Sequence, residues 1–155
     1  MGGFISIQDS DNLKNLNSIF KQFKKINNHR GPDDNKILIE NNNFSLFRRL
    51  SILDVSSNAN QPFYSEDKKK HLVFNGEIYN FVELKNTLKK KKYRFFTSSD
   101  TEVLMKSYEE WGIKFVKKLR GMFSIILFDK LLNKTFFIRD RLGQKPLYYT
   151  SVNNS

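Results

Sequence analysis

Hydrophobic positions in the first third of the chain predict one helix and three strands. Between Leu13 and Ile26, apolar side chains recur every three or four residues, which is the spacing of an amphipathic helix. Ser10 or Asp11 is suited to cap that helix, because a short polar side chain can accept a hydrogen bond from its first turn. The other apolar segments are short and rich in β-branched and aromatic residues, which favours strands. These predicted strands cover residues 3–7, 36–40 and 44–53.

The remainder of the chain alternates strands with helices. One helix carries Phe81, Leu84 and Leu88 on one face, and a second begins at Asp100 and ends at Gly112, a residue type suited to stop helices. A short helical segment follows at 113–119, and residues 54–62 are polar and irregular. The predicted extended segments are 71–79, which Asn75-Gly76 interrupts, and 93–97, 122–129, 134–139 and 147–150, with a turn at 131–133 that makes a hairpin.

Strands that arrive in hairpins, with helices between them, predict an α+β fold with an antiparallel core. The chain has 155 residues, a length typical of one domain, and no internal repeat or linker marks a second one. Hydrophobic residues make up 39% of the chain and phenylalanine occurs 15 times, which favours a buried core over disorder. We therefore expect residues 1–155 to form a single domain.

The composition excludes several classes of protein. Cysteine is absent, which excludes disulfides, Cys-ligated metal centres and a cysteine nucleophile within this sequence. No apolar run approaches the ~18 residues of a membrane helix, and the N-terminus lacks the features of a secretory signal. Residues 1–6 match a permissive myristoylation pattern, but a lipid on Gly2 would compete with burial of the first strand. We expect a cytoplasmic protein without a membrane partner.

The charge raises the question of nucleic-acid binding. The net charge is +11, from 27 Lys and Arg against 16 Asp and Glu, and basic domains often bind polyanions. However, Lys, Asn, Ile and Phe are all abundant, as expected when coding DNA is rich in A and T. The longest basic run, residues 89–92, lies at the end of a predicted helix, where the helix dipole favours cations. We therefore expect no nucleic-acid partner.

Five segments carry more information than the composition. In chain order they read HRGPD at 29–33, RLSILD at 49–54 with QP at 61–62, FNGEIYN at 74–80, SDTEV at 99–103 and RDRLGQKPLYY at 139–149. In this order and spacing they closely resemble the glutaminase domain of asparagine synthetase, a class II glutamine amidotransferase. The resemblance extends over nearly the whole chain, from residue 3 to about residue 149.

This resemblance implies an N-terminal-nucleophile hydrolase fold, a four-layer αββα sandwich with antiparallel sheets. In the family, a Cys that follows the initiator Met becomes residue one, its thiolate attacks the side-chain amide of glutamine, and its α-amino group acts as the base. The released ammonia passes to a synthetase domain that uses ATP and Mg²⁺ to form asparagine. The implied partners are L-glutamine and a synthetase domain in cis or in trans. A homo-oligomer is possible, and no cofactor is implied for this domain.

The resemblance assigns two charged residues to the α-amino acid head of glutamine. Arg49 offers a planar cation for bidentate binding of the α-carboxylate, although an arginine on a strand surface is the plain alternative. Asp100 would bind the α-ammonium group, and its alternative role as a helix cap is compatible with that binding.

The amide end of glutamine is assigned to residues in and near the FNGEIYN segment. The Asn75 side-chain amide and the Gly76 backbone N–H would form the oxyanion hole, because glycine lets a substrate approach the backbone closely. The alternative is an ordinary Asn-Gly turn. Glu77 would line the same pocket, and Leu50 and Ile52 would present backbone groups to glutamine.

The sequence departs from the family at its start and at its end. Gly2 occupies the position of the family's Cys nucleophile, and because Gly3 and Phe4 match the family's start, a shifted register supplies no other nucleophile. We therefore expect a glutaminase-deficient chain. The sequence also ends before the family's domain does and contains no glycine-rich pyrophosphate loop. A domain truncated at its C-terminal edge, with the synthetase domain absent, is the expectation.

Two hypotheses follow. The leading one is an asparagine-synthetase-type amidotransferase domain that has lost its nucleophile. The alternative is a non-catalytic glutamine-binding or scaffold module of an asparagine-synthetase-like protein. His29 and His71 are the only imidazoles in the sequence; both are expected to be structural, and no metal site is predicted.

Overall fold

A computed structural model of the chain describes residues 3–7, 16–26, 34–40, 43–49 and 61–150. The helices within these residues are α1 (Leu16–Ile26), α2 (Phe81–Lys90) and α3 (Asp100–Trp111), and a 3-10 helix (Gly112–Lys118) follows α3 directly. The strands are β1 (Gly3–Ile7), β2 (Asp34–Glu40), β3 (Asn43–Arg49), β4 (Phe63–Tyr64), β5 (Lys70–Ile78), β6 (Gly121–Asp129) and β7 (Lys134–Arg139).

The first three strands form an antiparallel sheet in the order β1-β3-β2. Successive side chains of a strand point to opposite faces, so this sheet has two distinct surfaces. On one surface Leu46 is buried and packs with Ile5, Ile7 and Phe23 of α1. The amphipathic helix predicted from the sequence therefore covers the outer face of the small sheet.

The remaining strands form a second antiparallel sheet in the order β4-β5-β6-β7. One face of this large sheet packs against α2, α3 and the 3-10 helix and forms the main hydrophobic core. Its fully buried members include Leu72, Leu88, Leu104, Phe115 and Ile125. Burial of such side chains stabilises a fold by roughly 1.5–3 kcal/mol each, so this core supplies most of the described apolar burial.

The other face of the large sheet meets the small sheet. Phe47 of β3, Val73 of β5 and Ile126 of β6 form a buried cluster, against which Phe4 and Leu147 pack. From one surface to the other, the described layers are therefore α1, the small sheet, the large sheet, and α2 with α3. This is the four-layer αββα order that the resemblance implied.

Several predicted elements differ from the observed ones. The strand predicted for 71–79 is not interrupted at Asn75-Gly76, because pairing with β6 continues through both residues. Residues 147–150 were predicted as a strand, but they and residues 93–97 form no strand. The two-residue strand β4 was missed because so short a segment carries no periodic signal. Residues 8–15 and 50–60, which include the predicted cap of α1 and the end of the predicted strand 44–53, lie outside the described residues.

Glu102 fixes the irregular segment that leads into α3. Its side chain is buried, and it accepts hydrogen bonds from the Phe96 N–H and, at 2.7 Å each, from the N–H and the hydroxyl of Thr97. A carboxylate that gathers several donors holds a loop firmly, because charge-assisted hydrogen bonds are stronger than neutral ones. The start of α3 is thereby held in a fixed position.

Asp140 organises the loop that follows β7. Its buried carboxylate accepts four backbone hydrogen bonds, and burial raises its pKa, but the bonds, that of Lys145 foremost, outweigh burial and leave the pKa below its ordinary value. The donors are the N–H groups of Phe123 (3.2 Å), Leu142 (3.1 Å), Gln144 (2.9 Å) and Lys145 (2.9 Å). Because one donor belongs to β6, the carboxylate ties the loop to the large sheet.

Two arginines complete this loop. Arg139 donates from Nε to the Lys145 carbonyl at 2.9 Å and from Nη2 to the Gly143 carbonyl at 2.7 Å. Arg141 donates from Nη1 to the Leu119 carbonyl at 3.0 Å. Gly143 has φ +66°, a backbone conformation that favours glycine, and a Cβ there would lie 2.9 Å from the Arg139 guanidinium, so a larger residue would strain the loop. The RDRLGQK motif is therefore a structural brace.

We predict that Asp140→Asn destabilises the domain by about 3 kcal/mol, because the amide nitrogen that replaces one carboxylate oxygen would face two N–H donors and leave them unsatisfied. Urea unfolding monitored by circular dichroism measures this change. Since the pKa of Asp140 is lowered in the folded state, its contribution is present at neutral pH and is lost as the pH falls through the folded-state pKa. The difference in unfolding free energy between the wild type and Asp140→Asn should therefore become smaller in acid.

Asp67→Asn is the matched control. Asp67 also accepts two hydrogen bonds, from the Ser65 hydroxyl at 2.6 Å and the Lys69 N–H at 3.0 Å, but its side chain is 45% exposed in a surface turn. Water can replace those bonds, so this variant should unfold close to the wild type. Equal destabilisation by the two substitutions would contradict the bracing role of Asp140.

Candidate functional site

Asn75 lies in the middle of the large sheet, on the face that meets the small sheet. It is buried and stands opposite Ser124 of β6 in the strand register. Val73, two residues earlier in β5, packs against Phe47 of the small sheet, and residues two apart in a strand share a face. The Asn75 side-chain amide therefore belongs to the inter-sheet layer.

Gly76 allows an unusually close approach of β5 to β6. Its φ is +153°, and a Cβ built on it would lie 2.0 Å from the Met122 carbonyl oxygen and 2.7 Å from the Phe123 Cα. Both neighbours are backbone atoms that cannot turn away, so no other residue fits without moving a strand. The Asn-Gly turn considered as an alternative is excluded, because Asn75 and Gly76 both pair within the ladder.

Asp100 is connected to the same strand. It is the first residue of α3, and its buried Oδ2 accepts a hydrogen bond from the Ile78 N–H at 3.2 Å. The alternative role considered for Asp100, as the helix cap, is excluded: Ser99 is the N-cap, and its side chain accepts a hydrogen bond from the Glu102 N–H at 3.3 Å. Ser99 has the extended backbone that a cap requires, whereas Asp100 is already helical.

The electrostatic setting of Asp100 is unfavourable for a carboxylate. Burial raises its pKa from 3.8 to about 6, and the nearby Glu77 adds to the rise, while N–H groups including that of Ile78 oppose it. The half-buried Glu77 lies in β5 between Gly76 and Ile78. Two neighbouring carboxyl groups in a poorly solvated position favour a bound cation, which would relieve both the burial and the repulsion.

Arg49 is the last residue of β3 and pairs with Asp34 of β2. Phe47, two residues earlier in the same strand, contacts Val73 of β5. The backbone of β3 thus reaches the inter-sheet layer in which Asn75 lies. The other predicted site residues, Gly2, Leu50 and Ile52, lie outside the described residues, as does His29.

The surroundings of His71 agree with the structural role that we predicted for it from the sequence. Its ring is 5.7 Å from the ring of Tyr64 and 5.2 Å from that of Phe128, centroid to centroid. It is buried in β5, four residues before Asn75. At about 3.3 Å per residue, that separation keeps the imidazole well away from the site. Among the described residues, no group of His, Cys, Asp and Glu side chains is suited to hold a metal ion.

A cleft of about 160 Å³ lies elsewhere on the molecule. It is bordered by β4, the segment before α3 and one face of α3, and includes none of the predicted site residues. Its charged groups are already paired, since Glu102 binds the preceding loop and Lys106 bonds to Glu66 and lies 3.4 Å from Glu109. This cleft therefore offers a ligand little polar recognition, and the Asn75–Asp100 region is the better candidate.

One polar group beside Asn75 could not be recognised from the sequence. Ser124 is 1% exposed, and its hydroxyl has no hydrogen-bond partner among the described residues. A serine inside an otherwise apolar strand has no recognisable motif, and only the register of β5 with β6 places it opposite Asn75.

The described residues also contain no helix that is both long enough and apolar enough to cross a bilayer.

Comparison with known proteins places the chain among glutamine amidotransferases. The family model described as "Glutamine amidotransferase domain" matches residues 1–155. Asparagine synthetase [glutamine-hydrolyzing] 2 of Bacillus subtilis is 50% identical over 124 residues, which cover 80% of this chain and 16% of the relative. Asparagine synthetase [glutamine-hydrolyzing] 1 of the same organism is 40% identical over 157 residues, which cover 99% of this chain and 25% of the relative.

A solved structure supports the fold. Glutamine phosphoribosylpyrophosphate amidotransferase from B. subtilis matches with a TM-score of 0.50 and 23% identity, over 59% of this chain and 22% of that chain. This likeness confirms the α+β fold of the N-terminal-nucleophile type. The chain spans only about a sixth to a quarter of the length of the two asparagine synthetases. The chain belongs to the glutamine amidotransferase family, as an amidotransferase domain of the asparagine synthetase type.

Proposed function

We propose that this domain binds L-glutamine between Asp100 and Asn75 and does not hydrolyse it, because Gly2 stands where the nucleophile is needed. The observation that carries the proposal is the hydrogen bond from the Ile78 N–H to Asp100. It connects a buried carboxylate to the strand segment that also carries Asn75 and Gly76.

The α-ammonium group of glutamine is the cation that this carboxylate would bind. Asp100 is buried and lies close enough to Glu77 for the two charges to interact. An ammonium group placed there gains a charge-assisted hydrogen bond and removes the repulsion between the two carboxylates. Arg49, at the end of β3, is the candidate for the α-carboxylate, since a guanidinium binds carboxylates in a bidentate manner.

The side-chain amide of glutamine would lie at Asn75 and Gly76. A side-chain amide N–H and a backbone N–H directed at one oxygen form an oxyanion hole, and such donors act best where water is excluded. Asn75 is buried, and Gly76 has no side chain to shield its backbone. Leu50 and Ile52 would add backbone contacts, as the resemblance implies.

The reaction stops at binding because Gly2 supplies no attacking atom. After removal of Met1, the α-amino group of Gly2 would remain available as a base, but there is no thiol for it to activate. Loss of a covalent nucleophile costs on the order of 10⁶-fold in rate, which leaves only the effects of binding and of the oxyanion hole. Transfer of ammonia from glutamine would therefore be absent.

The second candidate function is a scaffold. The relatives are four to six times longer than the matched region, so a synthetase portion that uses ATP and Mg²⁺ could act with this domain in cis or in trans. In that arrangement the amidotransferase domain would stabilise its partner, and ammonia would come from solution. Glutamine binding distinguishes the two candidates, because a pure scaffold has no need to retain it.

We predict that Gly2→Cys converts the domain into a glutaminase. Purified wild type should release no more than trace ammonia from L-glutamine, measured with a coupled glutamate dehydrogenase assay. The variant, with Met1 removed, should gain activity because it retains Asn75 and Gly76, the proposed oxyanion donors. Adding Asn75→Ala to Gly2→Cys should lower kcat by about 10²–10³-fold, the usual effect of removing one oxyanion donor.

Gly2→Ala is the control, since it changes the same position without adding a nucleophile and should stay inactive. Ammonia release by the wild type at a rate comparable with Gly2→Cys would contradict the proposed deficiency. An inactive Gly2→Cys protein that still binds glutamine would show that the pocket does not align the amide with residue 2.

We predict that glutamine binding tightens as the pH rises through about 6. Only the ionised Asp100 binds an ammonium group, and its pKa is raised to about 6, so the Kd should rise about tenfold for each unit below that pH and level off above it. Isothermal titration between pH 4.5 and 7.5 measures this profile. Asp100→Asn keeps an oxygen for the Ile78 N–H but should weaken binding at neutral pH and abolish the pH step.

Asp67→Asn serves as the control here as well, because it removes an exposed carboxylate and should leave the profile unchanged. A wild-type Kd that is constant across this pH range would exclude Asp100 as the group that binds the ammonium.

A further inference from the structure

The Ser124 hydroxyl is a polar group without a partner in the interior of the domain. The residue is 1% exposed, and its Oγ makes no hydrogen bond within the part of the chain that the structure describes. Buried polar side chains almost always have a partner, because an unsatisfied hydroxyl loses its hydration without compensation. Such a group in a native structure needs a specific explanation. A bound ligand that forms the missing hydrogen bond is one such explanation.

The register places this hydroxyl beside the proposed amide subsite. Ser124 pairs with Asn75 of β5 on one side and with Arg139 of β7 on the other. Residues that face each other across antiparallel strands share one face of the sheet, with their Cβ atoms about 5 Å apart. Asn75, Ser124 and Arg139 therefore form one row across the large sheet.

This row lies on the inter-sheet face, not on the face covered by α2 and α3. Ile126, two residues after Ser124 in β6, contacts Val73 and Phe47 in the inter-sheet cluster. Phe123 and Ile125, the neighbours of Ser124 in sequence, belong to the helix-covered core instead. The Ser124 hydroxyl thus shares the inter-sheet layer with the Asn75 amide.

The end of the row is closed by the braced loop. Arg139 holds the carbonyl groups of Gly143 and Lys145 and so has its guanidinium occupied. It cannot turn to satisfy Ser124 without releasing the loop. The hydroxyl therefore has a rigid neighbour on one side and the proposed amide subsite on the other.

We propose that Ser124 is a specificity residue for the side-chain amide of glutamine. Its Oγ accepts a hydrogen bond from the amide nitrogen, while Asn75 and Gly76 donate to the amide oxygen. A primary amide needs both donors and an acceptor, and a hydroxyl provides the acceptor that Asn75 and Gly76 leave unfilled. This inference rests on the proposed function, since it assigns a role within the same glutamine site.

Ser107 offers a matched control within the chain. It is also fully buried, and its hydroxyl also has no hydrogen-bond partner among the residues described. It lies in α3, seven residues after Asp100, which separates it from the helix start by about 10 Å at 1.5 Å per residue. Replacing either serine by alanine removes one buried hydroxyl that makes no hydrogen bond with a described residue, but only Ser124 lies opposite Asn75.

The test compares the binding of two ligands to the wild type, Ser124→Ala and Ser107→Ala by isothermal titration at pH 7.5. L-Glutamine carries the amide, and L-norleucine carries the same α-amino acid head on an apolar side chain of similar length. Ser124→Ala should bind glutamine about five- to tenfold more weakly, the effect of one lost neutral hydrogen bond, and should bind norleucine as well as the wild type or better. Ser107→Ala should match the wild type for both ligands.

Thermal unfolding without ligand is the second measurement. Because the hydroxyl has no partner to lose, Ser124→Ala should have a Tm equal to or above that of the wild type. If the alanine variant does not fold, Ser124→Cys provides a side chain of similar shape whose thiol is a weak hydrogen-bonding group, and the same loss of glutamine affinity is expected.

Three results would overturn the inference while leaving the proposed function intact. They are an unchanged glutamine Kd in Ser124→Ala, an equal loss of affinity for glutamine and norleucine, and an equal loss in Ser107→Ala. A wild type that binds no glutamine at all would overturn the proposed function and this inference together, so the two failures are distinguishable.

Discussion

The close pairing of β5 with β6 is the constraint on which the rest of the domain depends. At Gly76 the two backbones approach so closely that any Cβ would lie 2.0 Å from the Met122 carbonyl oxygen. Because side chains alternate along this ladder, one face carries the main hydrophobic core and the other carries Asn75 and Ser124. Stability and the candidate chemistry are thus placed on opposite faces of the same pair of strands.

Two carboxylates near the ends of these strands have opposite electrostatic roles. Asp140 accepts four backbone N–H groups, so its ionised form is stabilised and its pKa falls below the ordinary value despite burial. Asp100 also receives the Ile78 N–H, but burial and Glu77 outweigh this and raise its pKa to about 6. The carboxylate of Asp140 is therefore satisfied by hydrogen bonds within the fold, whereas that of Asp100 would be stabilised further by a cation.

The sequence predicted much of this arrangement but not its details. The spacing of hydrophobic residues was sufficient to predict α2, α3 and the hairpin of β6 with β7, because burial of one face determines the secondary structure of long periodic segments. The Asn75-Gly76 pair was interpreted as a break in the strand because that dipeptide usually turns the chain; pairing with β6 overrode this preference. Similarly, Asp100 was suited to cap α3, but Ser99 took the position. Ser124 had no signal at all, because its meaning arises only from a partner strand distant in the sequence.

The cost of Asp100 is an argument that the binding site is retained although the nucleophile position holds glycine. A carboxyl whose pKa rises from 3.8 to about 6 on folding binds its proton more tightly in the folded state. Its contribution to stability therefore falls as the pH rises between those values, by roughly 3 kcal/mol in total at neutral pH. Together with the hydroxyl of Ser124, which has no hydrogen-bond partner among the described residues, the domain carries two unfavourable groups, both of which belong to the proposed glutamine site. Under the proposed function, both would be relieved by a single ligand that has an ammonium group at one end and an amide at the other. In the proposed site, the groups that bind the ligand therefore do not depend on the atom that would attack it.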